Sequence, residues 1–595
     1  MFEKVLVANR GEIAIRVMRT LKEMSIGSVA VYSEADRDAP HVGEADEAHL
    51  IGPPVPAESY LNVERLLETA GKAGVQAIHP GYGFLAENAG FAAACEKAGI
   101  IFIGPPASAI EAMGSKTRAR ELMAAAGVPI VPGTTAPVES VADARKEAKK
   151  IGYPVACKAA GGGGGKGFRV ASSEEELEEA FEGAAREGEK FFSDATVYLE
   201  RYLEDPRHVE VQVLADSHGN VVHLGERDCS IQRRHQKLIE EAPAPHVDDA
   251  MRERIGGIAT EAAAAVDYRS AGTVEGLQEG EDYFFLEMNT RVQVEHCVTE
   301  MATGLDIVRE QVLIAAGEEL SVAQEDVELR GHAIECRINA EAAHKGFAPA
   351  PGRIESYAEP AGPGVRVDSG VRAGSEVTPL YDPMIAKLIV WDTDRERATA
   401  RMLRALDEYE IGGLTTLIPF HRAILATDQW ARAETCRDLL ADKKWLKSLA
   451  PAEPSAAPPD GVGAEAADGQ LPLQVRDYKV EVDGRLHEVK VIGAAPTEAN
   501  PGPAAGLTRP PRRDRAGGGG AGGGAGDTLV SPIQGSVLKV AVSKGDEVAE
   551  GALICIVEAM KMENEITAHR AGKVTELGVA EGGSVAAGET IARIE

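Results

Sequence analysis

A change of composition between residues 450 and 526 divides the chain into two foldable parts. This stretch holds the runs PAEPSAAPPDG, PTEANPGPAAG, RPPRRDR and GGGGAGGGAG, which have too few apolar residues to pack a core. Within it, alternating valines flank Asp483-Gly484, a dipeptide typical of a hairpin turn. We predict a flexible linker over 447–526 with a short hairpin at 477–492. Because two strands alone are marginal in water, a transient hairpin is the alternative.

Charge and cysteine usage restrict the partners and the compartment. The 595 residues include 63 Lys and Arg against 94 Asp and Glu, a formal net charge of −31. Nucleic acid and anionic membranes repel so acidic a chain, and neither is expected as its main partner. Seven scattered cysteines without a C-x-x-C pair indicate buried thiols in a reducing compartment. The N-terminus lacks the basic and apolar regions of a signal peptide, so we expect a cytoplasmic protein.

The first 446 residues begin with the pattern of a nucleotide-binding α/β fold. An apolar run at 5–8 leads through Asn9-Arg10-Gly11 into a helical pattern. Further strand and helix patterns alternate, so residues 1–113 are predicted to form an open parallel α/β domain. From 114 to 330 the strands are interrupted by glycine-rich and charged loops, and a third region, 331–446, completes this part.

The last part of the chain, 527–595, contains an internal repeat. Positions with an offset of 37 match as follows: Gly535, Val537, Gly545, Val548 and Gly551 recur as Gly572, Val574, Gly582, Val585 and Gly588. Two strand-turn-strand halves predict a quasi-twofold β-sandwich. The midpoint of the repeat falls at Lys561-Met562.

Lys561 lies between two methionines, where a turn would ordinarily be rich in Gly, Asn or Asp. Methionines on both sides of a lysine at a hairpin tip favour a recognition site for an enzyme that modifies the lysine. The alternative is a surface lysine between half-buried methionines.

A glycine run at 161–165 follows an apolar segment that ends at Lys158 and precedes Lys166. Glycines let backbone N–H groups approach phosphate oxygens, and the lysines supply positive charge. The run is not a P-loop, because the pattern G-x-x-x-x-G-K-[ST] fails at Phe168. The equally glycine-rich 517–526 is interpreted as linker, because RPPRRDR precedes it instead of an apolar segment.

Residues 286–295 alternate between apolar and polar side chains, as in a strand. One face carries Leu286, Met288, Val292 and Val294, and the other carries Glu287, Asn289, Arg291, Gln293 and Glu295. A turn near 279–282 would pair this strand with 273–275 and bring Glu275 close to Glu287. Two carboxylates and an amide oxygen suit Mg²⁺ that bridges nucleotide phosphates. A solvated sheet face is the alternative.

Cationic residues are concentrated between 227 and 237. They are Arg227, Arg233, Arg234 and Lys237, with His235 among them. In so acidic a chain we predict an anion-binding site here, against the alternative of a basic surface loop.

Several of these motifs together resemble biotin carboxylase over residues 1–446. They are His79-Pro-Gly-Tyr-Gly-Phe-Leu85, the glycine run, Glu200-Arg-Tyr-Leu203, Pro206-Arg-His208, the 227–237 segment and 287–295. Ala559-Met560-Lys561-Met562 is similar to the signature of biotinyl carrier domains. The whole chain resembles the α-subunit of a biotin-dependent acyl-CoA carboxylase. This implies a Rossmann-like domain, an ATP-grasp domain with a mobile lid at 130–203, a C-terminal biotin carboxylase domain and a flattened all-β biotinyl domain.

The resemblance further implies a ligase that uses ATP, bicarbonate and Mg²⁺ or Mn²⁺ to carboxylate biotin attached to Lys561. It assigns the ATP site to Lys116, Lys158, Gly163, Gly164, Gly165, Glu200, Arg201, Leu203, His208, Gln232, His235, Glu275 and Glu287. It assigns the metal to Glu275, Glu287 and Asn289, and bicarbonate to Lys237, Arg291, Gln293, Val294 and the general base Glu295. It assigns the biotin ureido group to Tyr82 and Arg337. Cys297 stands where the family usually has proline, and it is not expected to touch a proposed ligand.

The partners expected from the resemblance are a separate carboxyltransferase (β) subunit, which would receive carboxybiotin, biotin protein ligase and further copies of the chain. Acetyl-CoA or propionyl-CoA is the expected acyl acceptor, and pyruvate is the runner-up. Two other functions stay open: a carrier or scaffold subunit with an inactive ATP site, and another ATP-grasp ligase fused to a lipoyl-like domain. Intact candidate residues argue against the former, and Met560-Lys561-Met562 argues against the latter.

Overall fold

The computed structural model describes residues 1–134, 136–159, 167–192, 194–450, 473–482, 485–494, 527–531, 535–559, 562–580, 583–585 and 589–595. The chain forms two compact units, one of residues 1–450 with 528–595 and one of 451–527. The side chains described below belong to the first of these.

Residues 1–114 form a parallel α/β domain, as the alternating pattern predicts. Its elements are β1 (Lys4–Val7), α1 (Gly11–Glu23), β2 (Gly27–Ser33), α2 (Pro40–Glu44), β3 (Glu47–Gly52), α3 (Val63–Ala73), β4 (Ala77–His79), α4 (Ala89–Lys97), β5 (Ile101–Phe102) and α5 (Ala107–Gly114). The parallel sheet has the order β3-β2-β1-β4-β5. The apolar run of β1 is fully buried, and the chain leaves the carboxyl end of β4 in the turn that carries Tyr82.

A smaller sheet lies in the part of the chain that contains the glycine run. The elements are α6 (Lys116–Ala125), α7 (Val141–Ile151), β6 (Val155–Ala159), β7 (Phe168–Ala171), α8 (Glu174–Phe192) and β8 (Val197–Arg201). The sheet order is β7-β6-β8, and both pairings are antiparallel. β6 and β7 therefore flank the glycine run as a hairpin, while the glycines themselves lie outside the described residues.

One large sheet spans the two regions predicted as 114–330 and 331–446. The first region supplies β9 (Arg207–Ala215), β10 (Val221–Arg233), β11 (Gln236–Ala242), α9 (Asp249–Ala264), β12 (Ser270–Glu279), β13 (Asp282–Asn289), α10 (His296–Thr303) and α11 (Ile307–Ala315). The second supplies β14 (His332–Asn339), β15 (Glu341–Ala342), β16 (Ala348–Pro349), β17 (Gly352–Arg353), β18 (Ser356–Ala358), β19 (Val365–Ser369), β20 (Glu376–Val377), β21 (Met384–Asp392), α12 (Arg395–Glu408), β22 (Glu410–Gly412), α13 (Ile418–Leu425), α14 (Asp428–Ala431), α15 (Arg437–Ala441) and α16 (Lys443–Ser448). The sheet order is β13-β12-β9-β10-β11-β14-β21-β19.

The second unit contains an antiparallel hairpin of β23 (Leu473–Val482) and β24 (Arg485–Ala494). Val482 pairs with Arg485 across positions 483–484, which the sequence marks as the turn. Both strands extend past the predicted limits of 477 and 492.

Residues 527–595 form the predicted β-sandwich. Its strands are β25 (Thr528–Val530), β26 (Gly535–Val540), β27 (Glu547–Val548), β28 (Leu553–Ala559), β29 (Met562–Thr567), β30 (Gly572–Leu577), β31 (Ser584–Val585) and β32 (Thr590–Ile594). The sheet orders are β25-β32-β30-β27 and β29-β28-β26-β31, so each sheet takes strands from both halves of the repeat. Val537 and its repeat partner Val574 are both buried in the shared core. Ala559 pairs with Met562, and Lys561, between them, lies outside the described residues.

Candidate active site

A row of charged side chains crosses the large sheet at one level. Glu287 on β13 pairs with Glu275 on β12, Glu275 pairs with Glu210 on β9, and Glu210 pairs with Arg227 on β10. Directly paired residues point to the same face of a sheet, so these side chains share a face. The predicted approach of Glu275 to Glu287 is thus confirmed by the strand register.

Lys237 is the cation at the centre of this face. Its Nζ contacts a carboxylate oxygen of Glu210 and lies 2.8 Å from Glu275 Oε1 and 2.6 Å from Glu295 Oε1. Burial disfavours the charged ammonium, but the three carboxylates raise the pKa of Lys237 well above its ordinary value. Burial has the opposite effect on the carboxyl of Glu295, whose pKa it would raise, but Lys237 and Arg337 lower that pKa below its ordinary value. The site therefore holds a permanent cation beside an ionised carboxylate.

Arg227 fixes the base of the site, and the sequence patterns gave it no specific role. Its side chain is fully buried and donates to Glu210, Gln212, Thr273, Gln293 and Thr299 over 2.6–3.1 Å. A signal was present in the sequence, because polar residues at 208, 210 and 212 alternate with valines. That alternation marks the polar face of β9 to which Arg227 bonds.

The predicted metal ligands meet around Glu275. Glu275 Oε1 accepts hydrogen bonds from Asn289 Nδ2 at 2.7 Å and Gln293 Nε2 at 2.6 Å, and Glu275 Oε2 lies 2.8 Å from His208 Nε2. Burial lowers the pKa of His208, but Glu275 outweighs it and the net direction is upward. Glu275, Glu287 and Asn289 offer hard oxygen atoms on neighbouring strands, and this donor set fits Mg²⁺ or Mn²⁺.

The alternation of residues 286–295 predicts a continuous strand, and this is wrong beyond Asn289. β13 ends there, and residues 290–295 form a loop that leads into α10. Glu87 of the N-terminal domain holds the loop, since it accepts from Thr290 N at 3.1 Å and from Arg291 Nε at 3.0 Å. Leu286, placed on the apolar face by the alternation, is 38% exposed because the β12–β13 register shifts between Glu275 and Gly276.

Arg337 joins the charged face from β14. Its Nη2 lies 2.9 Å from Glu295 Oε2, and both Nε and Nη2 reach Glu240 Oε1, at 2.6 Å and 2.5 Å. Arg337 thereby connects to Lys237 through the Glu295 carboxylate. Arg291, Gln293, Val294 and Glu295 lie on the same loop, so the structure brings the proposed bicarbonate residues to one place.

Tyr82 is linked to the other proposed biotin residue, Arg337, through Lys387. The Tyr82 hydroxyl donates to Glu12, whose second oxygen is 3.4 Å from Lys387 Nζ. Lys387 is fully buried, pairs with Arg337 across β14–β21 and donates to Val294 O at 2.9 Å. Burial raises the pKa of Glu12 to about 7, against the opposing effect of Lys387. This lysine also had no role assigned from the sequence patterns.

The expectation that Cys297 touches no proposed ligand is wrong. Its Sγ is 3.9 Å from Val294 O, 3.1 Å from Lys387 Nζ and 3.4 Å from Arg366 Nη2. Residues 294–297 form a short turn into α10, and this turn places the Cys297 thiol next to the Val294 carbonyl. Burial raises the pKa of the Cys297 thiol well above its ordinary value, so it stays protonated.

Four of the proposed nucleotide residues lie on the small sheet or directly after it: Lys158 on β6, Glu200 and Arg201 on β8, and Leu203 after β8. Lys158 contacts Glu200, which also lies 2.9 Å from Arg120 Nη1. Leu203 packs in an apolar cluster with Val131, Phe284 and Leu277. Arg201 contacts Glu279 and lies over the Phe284 ring, 5.9 Å from its centroid.

The four cations of 227–237 do not form one anion site. Arg227 and Lys237 are buried among carboxylates, whereas Arg233 lies over the Phe347 ring at 4.7 Å. The alternation of β10 and β11 sends neighbouring side chains to opposite faces. Gln232 pairs with Lys237 across the two strands, and the exposed His235 occupies the turn with a φ of 67°.

Some proposed residues have no described side chain. Gly163, Gly164, Gly165 and Lys561 lie outside the described residues. Lys116 is the first residue of α6, and its side chain is likewise outside the description.

Family models match most of the chain. Residues 1–110 match the biotin carboxylase N-terminal domain, 115–323 the ATP-binding domain of the carbamoyl-phosphate synthase L chain, and 335–442 the biotin carboxylase C-terminal domain. Residues 527–594 match the model described as biotin-requiring enzyme. The fold and the charged face thus define a biotin carboxylase of the ATP-grasp class.

Known proteins are similar to the whole chain or to about three quarters of it. The biotin-dependent acyl-coenzyme A carboxylase alpha3 subunit of Mycobacterium leprae is 46% identical over 600 residues, which cover 100% of this chain and 98% of the relative. One component of the pyruvate carboxylase of Methanothermobacter thermautotrophicus is 56% identical over 73% of this chain and 88% of its own. A solved structure, the biotin carboxylase domain dimer of Hydrogenobacter thermophilus 2-oxoglutarate carboxylase with MgADP, ADP and bicarbonate, is 50% identical with a TM-score of 0.68, over 74% of this chain and 99% of that chain.

The chain therefore belongs to the biotin-dependent carboxylases and joins a biotin carboxylase to a biotin carrier domain in one polypeptide. Biotin and ATP with a divalent metal, the expected cofactors, are confirmed. Every cysteine of the chain is a buried free thiol, in keeping with the expected thiols. Within the described residues, no helix has the length and apolar content needed to cross a membrane.

Proposed function

We propose that this chain uses ATP and bicarbonate to carboxylate biotin on its own carrier domain, for a separate carboxyltransferase subunit that acts on acetyl-CoA or propionyl-CoA. The observation that carries the proposal is the Lys237–Glu295–Arg337 connection. It joins the metal-binding carboxylate Glu275 at one end to the arginine proposed for biotin at the other. Both halves of the reaction can therefore take place against one buried face.

In this function the nucleotide lies at the Glu275 end. Glu275, Glu287 and Asn289 would hold Mg²⁺ or Mn²⁺, which would neutralise charge on the phosphates. Lys116, Lys158, His208, Gln232, His235 and the glycines 163–165 would surround ATP, with Glu200, Arg201 and Leu203 at the adenine. Contacts of Lys158 and Arg120 to Glu200 support a preformed pocket wall there.

Bicarbonate would bind between Lys237 and the 290–295 loop. Lys237 and Arg291 attract the anion, and Gln293 and the Val294 backbone orient it. Glu295 is held ionised beside two cations and is therefore free to accept the bicarbonate proton. A bicarbonate oxygen then attacks the γ-phosphorus of ATP while the bond from that phosphorus to ADP breaks, which gives carboxyphosphate and ADP. Lys237 would stabilise the negative charge left on the bicarbonate oxygens when Glu295 takes the proton.

Tyr82 and Arg337 would receive the ureido group of biotin attached to Lys561. When attached, biotin supplies the ureido nitrogen that accepts the carboxyl group. Arg337 places positive charge beside that group, and Tyr82 limits its position from the N-terminal domain. The route from Tyr82 through Glu12 and Lys387 to Val294 supports a fixed spacing between the biotin and bicarbonate positions.

The acyl acceptor is proposed from the relative that this chain matches throughout, an acyl-CoA carboxylase alpha subunit. Pyruvate is the second candidate, because the pyruvate carboxylase component of Methanothermobacter thermautotrophicus is 56% identical over 73% of the chain. Biotin protein ligase would attach biotin, and further copies of the chain would assemble with it, as in the domain dimer of the solved relative.

Replacement of Lys561 tests the proposed division of labour. Lys561→Ala should abolish acyl carboxylation and biotinylation, measured by intact mass, but leave slow bicarbonate-dependent ATP cleavage that free biotin stimulates. Lys573→Ala, an exposed lysine of the same domain, is the matched control and should change neither. Equal loss of both activities in Lys561→Ala would contradict the proposal. A biotinylated, unsubstituted chain without ATP turnover would indicate the scaffold alternative.

A further inference from the structure

We propose that Glu240 is a positioning residue for biotin carboxylation: it holds the guanidinium of Arg337 in the orientation that receives biotin. This inference rests on the proposed function, in which Arg337 contacts the biotin ureido group. Glu240 is fully buried on β11, the strand that pairs with the Arg337 strand, β14.

Glu240 makes more contacts with the Arg337 guanidinium than Glu295 does. Glu240 Oε1 accepts from Arg337 Nε at 2.6 Å and lies 2.5 Å from Nη2. This one oxygen therefore contacts two nitrogens on the same edge of the guanidinium, which restrains the orientation of the group as well as its position. Glu295 contacts the same arginine through Nη2 alone, at 2.9 Å.

Glu240 and Glu295 have different roles in the site. Glu295 Oε1 is already bonded to Lys237, and Glu295 must take up a proton during the proposed reaction. An anchor that changes its charge in each cycle cannot hold Arg337 at a constant position. Glu240 lies on β11, outside the bicarbonate loop, takes no part in the proposed proton transfer and can keep its contact throughout.

The surroundings show that Arg337 is the group that makes an ionised Glu240 tolerable. Glu335 on β14 pairs directly with Glu240 on β11. Glu240 Oε2 and both carboxyl oxygens of Glu335 are buried without a hydrogen-bond partner among the described residues. Burial raises the pKa of Glu240 to about 7, against the effect of Arg337, and raises the pKa of Glu335 well above its ordinary value. Of the two carboxyls, Glu240 is the one in direct contact with a cation, and that contact favours its ionised form.

Loss of the Glu240 charge should leave Arg337 paired with Glu295 alone. The arginine would then turn toward the bicarbonate loop and away from the position proposed for biotin. The residues proposed for ATP, metal and bicarbonate would be unchanged, so ATP cleavage in the absence of biotin should continue. The defect should consequently fall on biotin.

The test uses the full chain with Lys561→Ala, so that free biotin is the acceptor. In this background Glu240→Gln should raise the KM for free biotin about tenfold, as expected for a lost charged hydrogen bond. The rate of bicarbonate-dependent ATP cleavage without biotin should stay within about twofold. Glu240→Asp, which keeps the charge at a shorter reach, should give an intermediate KM and decides the question if Glu240→Gln does not fold.

Glu241→Gln is the matched control. Glu241 is the next residue of β11, is also buried, and bonds His332 at 2.8 Å and Arg395 at 2.6 Å, facing away from Arg337. This variant should lower the melting temperature and leave the KM for biotin unchanged. If both variants reduce biotin-dependent and biotin-independent rates equally, Glu240 is merely structural and the inference is wrong. If the chain with Glu240 intact cleaves no ATP with bicarbonate, the proposed function fails instead.

Discussion

Lys237 shows how a single residue can organise the site. Its ammonium group is the one cation that three buried carboxylates of the described face share. Carboxylates this close repel one another strongly in a poorly solvated interior. The lysine therefore both stabilises the fold and maintains the anion site.

Removal of this cation should affect stability and activity together. Lys237→Met removes the cation that Glu210, Glu275 and Glu295 share and leaves each of them a single cationic partner on another strand. We expect a loss of about 3 kcal/mol in the free energy of unfolding. Bicarbonate-dependent ATP cleavage should fall at least about 100-fold. Urea titration and a steady-state phosphate assay measure the two effects. The control Lys4→Met removes a half-buried surface pair with Glu47 and should lower the free energy of unfolding much less. Wild-type turnover by Lys237→Met would refute the role of Lys237.

Glu12 should make stability depend on pH. Burial raises its folded-state pKa to about 7, against Lys387 and together with Asp368 and Asp382, while the unfolded value is near 4.5. The folded state therefore binds the proton more tightly. The contribution of protonated Glu12 to the free energy of unfolding is fully present below about pH 4.5 and is lost as pH rises through about 7.

The variant Glu12→Gln removes this titration. Between pH 5 and pH 7 the unsubstituted chain should lose stability relative to the variant by about 1 kcal/mol or more, measured as the difference between their urea midpoints. A difference that is constant with pH would show that Glu12 is ionised in the fold across this range.

Among the elements, the 290–295 loop depends on a residue far away in sequence. Glu87 lies 203 and 204 positions before its partners Thr290 and Arg291. The loop continues from β13, whose own hydrogen bonds end at Asn289. The N-terminal domain consequently fixes the loop that presents the bicarbonate residues.

Glu87→Gln should therefore weaken bicarbonate binding more than the chemical step. We expect the KM for bicarbonate to rise about fivefold to tenfold with kcat within about twofold, because one charged contact to Arg291 is lost. Steady-state kinetics with varied bicarbonate measures this. Glu96→Gln, at an exposed site on α4, should behave as the unsubstituted chain. An unchanged KM in Glu87→Gln would show that the loop is held by other contacts.

Local sequence patterns predicted the elements of the site better than the contacts between them. The β12–β13 pairing of Glu275 with Glu287 followed from a turn signal only a few residues long. The strand over 286–295 was wrong after Asn289, because the alternating pattern cannot show that Glu87 holds the following loop. Arg227 and Lys387 were not assigned for the same reason: their partners come from several strands separated by long stretches of chain.

The resemblance supplied roles that the residue patterns alone could not. Nothing local marks Arg337 or Tyr82 as neighbours, since one lies on β14 and the other in a turn of the N-terminal domain. Their connection through Lys387 and Glu12 exists only in the folded molecule. Conversely, the repeat of 527–595 was visible because each half folds the same local pattern.

At the scale of the molecule, residues 1–450 contain every described contact of the charged face. Almost the full length of a solved biotin carboxylase domain aligns with this part of the chain. Residues 1–450 alone should therefore carboxylate free biotin with a KM within about twofold of that of the full chain with Lys561→Ala. A radiolabelled bicarbonate assay measures this. Absence of activity in a folded fragment would show that residues after 450 complete the site.

The sharing of one charged face by distant parts of the chain limits how such a protein can be recombined. Glu87 pairs with Arg291, Glu12 with Lys387, and Arg337 with Glu295, so each pair crosses a predicted domain boundary. A chimaera that exchanges 1–113 with a distant relative splits the first two pairs between the parents, and one that exchanges 331–446 splits the last two. Crossover points inside 1–446 should be productive only where both parents carry the same charges, and these segments are expected to have been inherited as a block.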